Sequence, residues 1–217
     1  MIITIDGPAG TGKSTAARLL AARLGFDVLD TGAMYRAVAL AVLRKQASPD
    51  DETALQSLLR DLRIRVDGPR VWLNDEEVTE AIREPAVSQA ASRVAAVPAV
   101  RRFLMELQRA AGRNRNIITE GRDQGTVVFP QAEVKFFLTA TPAERAERRR
   151  RELATRGIFR RTEEILAEQE ERDRRDSNRS MAPLIPAPDA ILIDTTSRTV
   201  DEVVSLMEEH VRSWHDR

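Results

Sequence analysis

The residues able to do chemistry in this chain begin at Gly7-Pro8-Ala9-Gly10-Thr11-Gly12-Lys13-Ser14-Thr15. Glycines at this spacing let successive backbone N–H groups converge on a phosphate with no Cβ in the way, and the helix that follows adds its unpaired amides. Lys13 brings a point charge to the β and γ phosphates of a nucleotide, and the Ser14 hydroxyl can ligate Mg²⁺. The competing reading is a Gly-rich turn that binds nothing. A dinucleotide fingerprint does not fit, because it has no use for Lys-Ser.

Arginines supply the second set of candidates. Arg36 falls in the first turn of an expected helix, where a positive side chain is unfavourable unless an anion sits there; a solvent-facing arginine is the alternative. Gly121-Arg122-Asp123-Gln124-Gly125 ends an apolar strand, and ligands of open α/β sheets gather at strand C-termini. Arg122 beside Asp123 also reads as a plain surface pair. Arg145, Arg148, Arg149, Arg150 and Arg151 crowd one helix, and Arg172, Arg174, Arg175 and Arg179 the next. A salt-bridge-laced, solvated helix pair accounts for them. So does a mobile flap whose guanidinium forks close on phosphates being transferred.

These side chains need a frame. Apolar runs near 2–6, 26–30, 117–120, 134–138 and 190–194 read as short strands alternating with helices, so we expect a five-stranded, mostly parallel sheet covered on both faces. Helices are expected over 14–24, from Ala33 to about Lys45, and from a cap at Ser48 through Pro49 to about Arg60. Arg63–Asp67 and Arg70–Asp75 alternate around Gly68-Pro69 and predict a hairpin, with a short third strand at Val78 and Trp72 as packing anchor. Two helices follow, 84–96 and 98–111. They carry Ser92 and Arg101, which read from spacing alone as surface residues. Thr141-Pro142-Ala143-Glu144 and Thr199-Val200-Asp201-Glu202 are helix-start signals.

At 217 residues, with 34 basic residues against 34 acidic ones, the chain can bury one substantial core and gives no net-charge argument for nucleic acid. It has no cysteine, which excludes disulfides and thiolate metal sites. No apolar run reaches the ~18 residues of a membrane span, and no basic stretch precedes the first apolar residues, so a cytoplasmic protein without a membrane partner is expected. A GTPase would need a guanine-reading Asn-Lys-x-Asp stretch, and none occurs. A small phosphotransferase remains, with ATP on the glycine loop and a basic pocket for the acceptor.

Five further stretches extend the pattern: Leu-Asp-Thr-Gly-Ala-Met-Tyr-Arg at 29–36, Ala-Ala-Ser-Arg-Val-Ala at 90–95, Glu-Gly-Arg-Asp-Gln-Gly-Thr-Val-Val-Phe-Pro at 120–130, Glu-Arg-Asp-Arg-Arg-Asp-Ser-Asn-Arg at 171–179 and Ala-Pro-Leu at 182–184. With Ile-Thr-Ile-Asp-Gly-Pro-Ala-Gly-Thr-Gly-Lys-Ser at 3–14 they make the chain resemble, over nearly its whole length, the bacterial cytidylate kinases. That resemblance implies a P-loop kinase three-layer α/β/α core at about 1–35, 113–147 and 163–217. It also implies an inserted monophosphate-binding lobe at 36–112 with a small antiparallel sheet near 62–79, and a lid at 148–162. The implied activity is transfer of the γ-phosphoryl group of ATP to CMP and dCMP with Mg²⁺, by a protein expected to be a monomer. By the same resemblance Arg36, Arg122 and Arg179 grip the acceptor phosphate. Ser92, Arg101 and Asp123 read cytosine, with Thr31 nearby, and Arg172 and Asp176 hold the pentose. Lys13, Arg122, Arg148 and Arg149 are the expected catalytic residues and Ser14 the metal ligand. Another small-molecule kinase (for UMP, dTMP or shikimate) is the alternative, and behind it a non-catalytic nucleotide- or RNA-binding P-loop protein.

Overall fold

The computed structural model describes residues 1–48 and 51–215. Strands β1 (Ile2–Asp6), β2 (Asp27–Asp30), β6 (Ile117–Gly121), β7 (Val134–Thr139) and β8 (Ile191–Asp194) form a parallel sheet in the order β2-β6-β1-β7-β8. β1 is central, with Ile3 opposite Ile118 on one side and Ile5 opposite Phe136 on the other. Every residue of β6 is buried, as expected for a parallel strand covered on both faces. Helices α1 (Lys13–Leu24) and α8 (Val200–His215) pack on each other, and α1 also packs on β6 and α8 on β7. The resulting core gathers Ile3, Ile5, Leu20, Ile118, Phe136 and Met207.

The start signals hold at α6 (Pro142–Ala154) and α8. Thr141 accepts from the Glu144 amide at 3.4 Å. Ahead of α8, Thr199 and Glu202 cap each other reciprocally, at 2.7 and 3.3 Å. Helix α7 (Thr162–Asn178) packs along α6 around Ala146, Leu153 and Ile165. The chain divides into two compact units. One is Met1–Val28 with the chain from Asn116 onward, which includes the P-loop, α6, α7 and α8. The other is Leu29–Arg115.

In the second unit α2 (Thr31–Arg44) is capped by Asp30, which accepts from the Ala33 amide at 2.8 Å, so the helix starts two residues earlier than expected. It packs on α4 (Pro85–Val94), and α3 (Glu52–Arg60) packs on α5 (Pro98–Gly112). The cap of α3 is Asp51, bonded to the Ala54 amide at 2.9 Å, rather than Ser48. Ser and Asp are comparable caps by propensity; Asp51 wins because it is the side chain placed three residues before that amide. The expected helical positions Pro49 and Asp50 lie outside the described residues.

Strands β3 (Ile64–Asp67), β4 (Arg70–Leu73) and β5 (Glu76–Glu77) form the small antiparallel sheet, and Val78 follows β5 as a buried residue rather than forming it. Trp72 is not the packing anchor. The period of two puts Val71 and Leu73 on the buried face and Trp72 on the other, where the Arg65 guanidinium lies 3.5 Å from its ring centroid.

Candidate active site

The P-loop leaves β1 at Gly7, whose φ is 141° and whose missing Cβ would overlap the carbonyl oxygen of Leu138. Only glycine lets the chain pass so close over β7. Gly12 precedes α1 in the left-handed region with no side-chain cap, which leaves the first amides of α1 to an anion. Lys13 is buried, and its Nζ donates to the Pro8 carbonyl at 2.6 Å. Burial, and then the positive charge of Arg122, push the Lys13 ammonium down to about 7; Glu120 and Asp6 oppose this only in part. A polyphosphate would reverse that balance. Thr15 is exposed on α1.

The Ser14 hydroxyl donates to Glu120 at 2.7 Å, and Glu120 ends β6 in a buried position. Among the described residues no group of three or more His, Asp or Glu side chains could cage a metal by itself. The Ser14–Glu120 pair is a hard-oxygen donor set, which suits Mg²⁺ arriving on nucleotide phosphates.

Asp6 is a residue that spacing did not single out for a role. It accepts the amides of Gln124 and Gly125 at 2.9 and 2.8 Å, tying the end of β1 to the π-helical turn Gln124–Val128. Burial raises its carboxyl to about 6, against the pull of those two amides. An acid closing an apolar strand immediately before a P-loop was the available signal.

The turn so held presents Arg122 and the buried Asp123. Arg122 Nε donates to Asp176 of α7 at 3.0 Å and its Nη1 to the Gly121 carbonyl at 3.1 Å. Arg179 Nη1 stands 3.7 Å from the same carboxylate, and its Nε donates to the Ala182 carbonyl at 2.7 Å. Burial works against the Asp176 charge, but Arg122, Arg172 and Arg179 together hold the carboxyl below its usual range. The structure thus gathers the half-buried Arg122, Arg172 and Arg179 about the buried Asp176, with Arg122 and Arg172 close enough to Lys13 to shift it. The surface-pair reading of Arg122 with Asp123 fails, since its partner is Asp176.

The arginines of α6 go separate ways. Arg145 is buried; it donates to the Ala9 carbonyl at 3.0 Å and to Asp173 at 2.6 Å. Arg148 donates to Glu144, to the Thr195 hydroxyl and to the Thr195 carbonyl, at 2.9, 3.0 and 2.6 Å. Arg149 pairs with Glu152 at 2.7 Å, and Arg150 with Glu147.

In the unit Leu29–Arg115, Thr31 and Arg36 lie on the first turns of α2, Ser92 on α4 and Arg101 on α5. Ser92 and Arg101 are 6% and 4% exposed, so the surface reading of both is corrected: the sides of α4 and α5 that carry them turn inward. The Ser92 hydroxyl is buried with no hydrogen-bond partner, a cost that a bound ligand would remove. Arg101 donates to the Ala95 carbonyl at 3.0 Å and its guanidinium lies 5.6 Å from the Tyr35 ring centroid. Arg36 stands 3.5 Å from Asp30, a loose pair.

Set beside known proteins, the family model for cytidylate kinases matches residues 3–213. The cytidylate kinase of Pelotomaculum thermopropionicum is 52% identical over 214 residues, covering 96% of this chain and 95% of its own. That of Carboxydothermus hydrogenoformans is 47% identical over 220 residues, with 100% and 99% covered. Among solved structures, a shikimate kinase from Bacteroides thetaiotaomicron covers 98% of both chains at 10% identity with a TM-score of 0.50, a likeness of fold alone.

Proposed function

This chain belongs to the cytidylate kinase family and phosphorylates CMP and dCMP with ATP, and from that premise we propose how its residues divide the work. The observation that carries the proposal is the approach of Arg122 and Arg172, which with Arg179 gather about Asp176, to the buried Lys13 of the glycine loop: positive side chains from three parts of the chain meet there, which suits a place built for phosphates.

Gly7, Pro8, Ala9, Gly10, Thr11, Gly12, Lys13, Ser14 and Thr15 form the ATP loop, in which backbone amides and Lys13 hold the β and γ phosphates. Ser14, backed by Glu120, would hold Mg²⁺, which supplies charge neutralisation on the phosphates when bound. Arg122, with Arg179 and Arg36, binds the acceptor phosphate. Asp123, Ser92 and Arg101 are assigned to cytosine, Thr31 to CMP as well, and Arg172 and Asp176 to the pentose. Arg149 leaves its surface partner at little cost and compensates charge on the transferring group.

Transfer is direct. An acceptor phosphate oxygen attacks the γ-phosphorus of ATP in line as its bond to the β–γ bridging oxygen breaks and ADP leaves, and no general base is needed because a phosphate monoester with a second pKa near ~6 is already ionised at neutral pH. Lys13 and Arg122 stabilise the charge that develops, in a site from which water must be kept. The test is an acceptor panel of CMP, dCMP, UMP, dTMP and shikimate in a coupled ADP-release assay. Efficient turnover of CMP and dCMP over the others is expected. A preference for dTMP or shikimate would overturn the base-reading assignment.

A further inference from the structure

The P-loop amides can face a phosphate only if their peptide planes are held, and glycine offers little hold of its own. Gly10 and Gly12 have φ of 81° and 89°, in the region where glycine has no steric restraint from a Cβ. The peptide unit is planar and trans, so the N–H of each residue points opposite to the carbonyl of the residue before it. Fixing the Ala9 carbonyl therefore aims the Gly10 amide, and fixing the Thr11 carbonyl aims the Gly12 amide.

Both carbonyls are held from elsewhere in the chain. Arg145 Nη1 donates to Ala9 O at 3.0 Å, while its Nε is anchored on Ala140 O at 3.2 Å and Asp173 of α7 accepts from the same Nη1 at 2.6 Å. The Thr195 hydroxyl lies 3.1 Å from Thr11 O and 3.0 Å from Thr139 O. Arg148 Nη1 donates into that hydroxyl at 3.0 Å, which leaves the hydroxyl proton to the two carbonyls, and Arg148 Nη2 holds the Thr195 carbonyl at 2.6 Å. Arg145 and Thr195 are both buried, as members of a fixed scaffold must be.

We propose that Arg145 and Thr195 are positioning residues for phosphoryl transfer, which aim the Gly10 and Gly12 amides at the nucleotide phosphates, and that Arg148 acts through Thr195 rather than by touching substrate. This rests on the assignment of the P-loop to the phosphates of ATP. The arginines of α6 then have different roles, since Arg145 and Arg148 brace the loop while Arg149, paired with Glu152, keeps the role proposed for it on the transferring group.

Thr195→Val removes the hydroxyl and keeps the shape, and Thr195→Ser restores the hydroxyl. The readouts are KM for ATP, KM for CMP, kcat, and the affinity for inorganic tripolyphosphate by titration calorimetry. Thr195→Val is expected to weaken tripolyphosphate and raise KM for ATP about tenfold, the scale of one lost hydrogen bond, with KM for CMP within about twofold. Thr195→Ser is expected to stay within about twofold throughout. Arg148→Gln is expected to act in the same direction, and combined with Thr195→Val to add nothing further. Unchanged tripolyphosphate binding in Thr195→Val, equal loss in Val and Ser, or multiplying effects of Arg148→Gln and Thr195→Val would each overturn the proposal. If Thr195→Val does not fold, Asp173→Ala, at a partly exposed carboxylate, removes one of the two anchors of Arg145 instead. It is expected to weaken tripolyphosphate several-fold, and wild-type binding would overturn the bracing by Arg145. Lys13→Ala separates the bracing from the phosphate assignment beneath it. If it leaves tripolyphosphate binding intact, the phosphate assignment itself falls; if it weakens binding while Thr195→Val does not, only the bracing falls.

Discussion

Replacing Asp176 by Asn tests whether the arginine cluster is assembled around a carboxylate. In the wild type the Asp176 side chain is 7% exposed and meets Arg122 at 3.0 Å and Arg179 at 3.7 Å. Asn keeps the shape and one acceptor but removes the buried charge that faces Arg122, Arg172 and Arg179. Breaking a buried pair from one side costs about 3–5 kcal/mol, and the retained hydrogen bond brings that to the lower end, roughly 3 kcal/mol. For a chain of this length each kcal/mol is worth about 2–4 °C, so Tm should fall by roughly 6–12 °C at pH 7. The pH dependence has a definite sign. The folded state holds the Asp176 carboxyl below its usual 3.8, so its contribution is complete above that pH and is lost as pH falls through the folded value. The gap between wild type and variant should therefore be widest at neutral pH and shrink below about pH 4. Saturating CMP at ~100 times the Kd of each protein stabilises either by about 2.7 kcal/mol, so the gap between wild type and variant should persist when each is saturated to the same degree. Scanning calorimetry at pH 7 and pH 4, with and without CMP, makes the measurement. A variant that melts within about 2 °C of wild type at pH 7, the shift expected of less than roughly 1 kcal/mol, would refute the reasoning. Catalytically, kcat/KM for CMP and UMP should fall together, because a pentose contact and a phosphate-binding arginine are blind to the base.

Lys13→Ala should lower kcat on the order of 10²-fold or more with the fold retained, since its charge is needed most in the transition state; near-normal turnover would remove it from the mechanism. With free Lys13 near 7, ATP binding at pH 8 should take up a proton as the phosphates restore the ammonium, which calorimetry in two buffers of different ionisation enthalpy would detect; no uptake would mean that Lys13 is already charged. Asp123→Asn should reduce CMP efficiency while narrowing the preference over UMP, because the amide can donate to the uracil carbonyl that a carboxylate rejects; equal losses would show that Asp123 does not read the base. Ser14→Ala should raise the Mg²⁺ concentration needed for half-maximal rate, and an unchanged titration would end its role as ligand.

The five core strands were legible because each is a short apolar run bounded by turn residues, and the alternation with helices leaves few topologies. The start signals placed α6 and α8 to the residue because they are local, although only α8 closes a reciprocal box; at α6 the Thr141 amide goes to Thr196 and Glu144 to Arg148. The cap of α3 lies three residues beyond the expected one, since Ser48, Asp50 and Asp51 are all competent caps and propensity does not choose among them. Trp72 looked like an anchor on size, although the two-residue alternation of β4 already put it opposite Val71 and Leu73. Burial of Ser92 and Arg101 could not be read from one helix each. Their positions are polar islands on amphipathic helices, and only the packing of α4 and α5 turns them inward.

The arginines show where such reading stops. Arg145, Arg148 and Arg149 are spaced i, i+3 and i+4, so they share one side of α6, and the pattern fits a phosphate-facing stripe as well as a solvated one. A third possibility lay in the backbone rather than in the pattern. A glycine-rich loop has few side chains with which to satisfy its own carbonyls, yet buried carbonyls must find donors. Lys13 and the Thr11 hydroxyl serve Pro8, while Ala9 and Thr11 take their donors from outside the loop. Arginine suits this role because one guanidinium can hold a carbonyl and an anchor at once, as Arg145 does with Ala9 and Asp173. An arginine near a P-loop is thus as much a candidate for its carbonyls as for its ligand. Arg148 reaches Thr11 only through Thr195, a residue 47 positions further along the chain, and no local spacing encodes that relay.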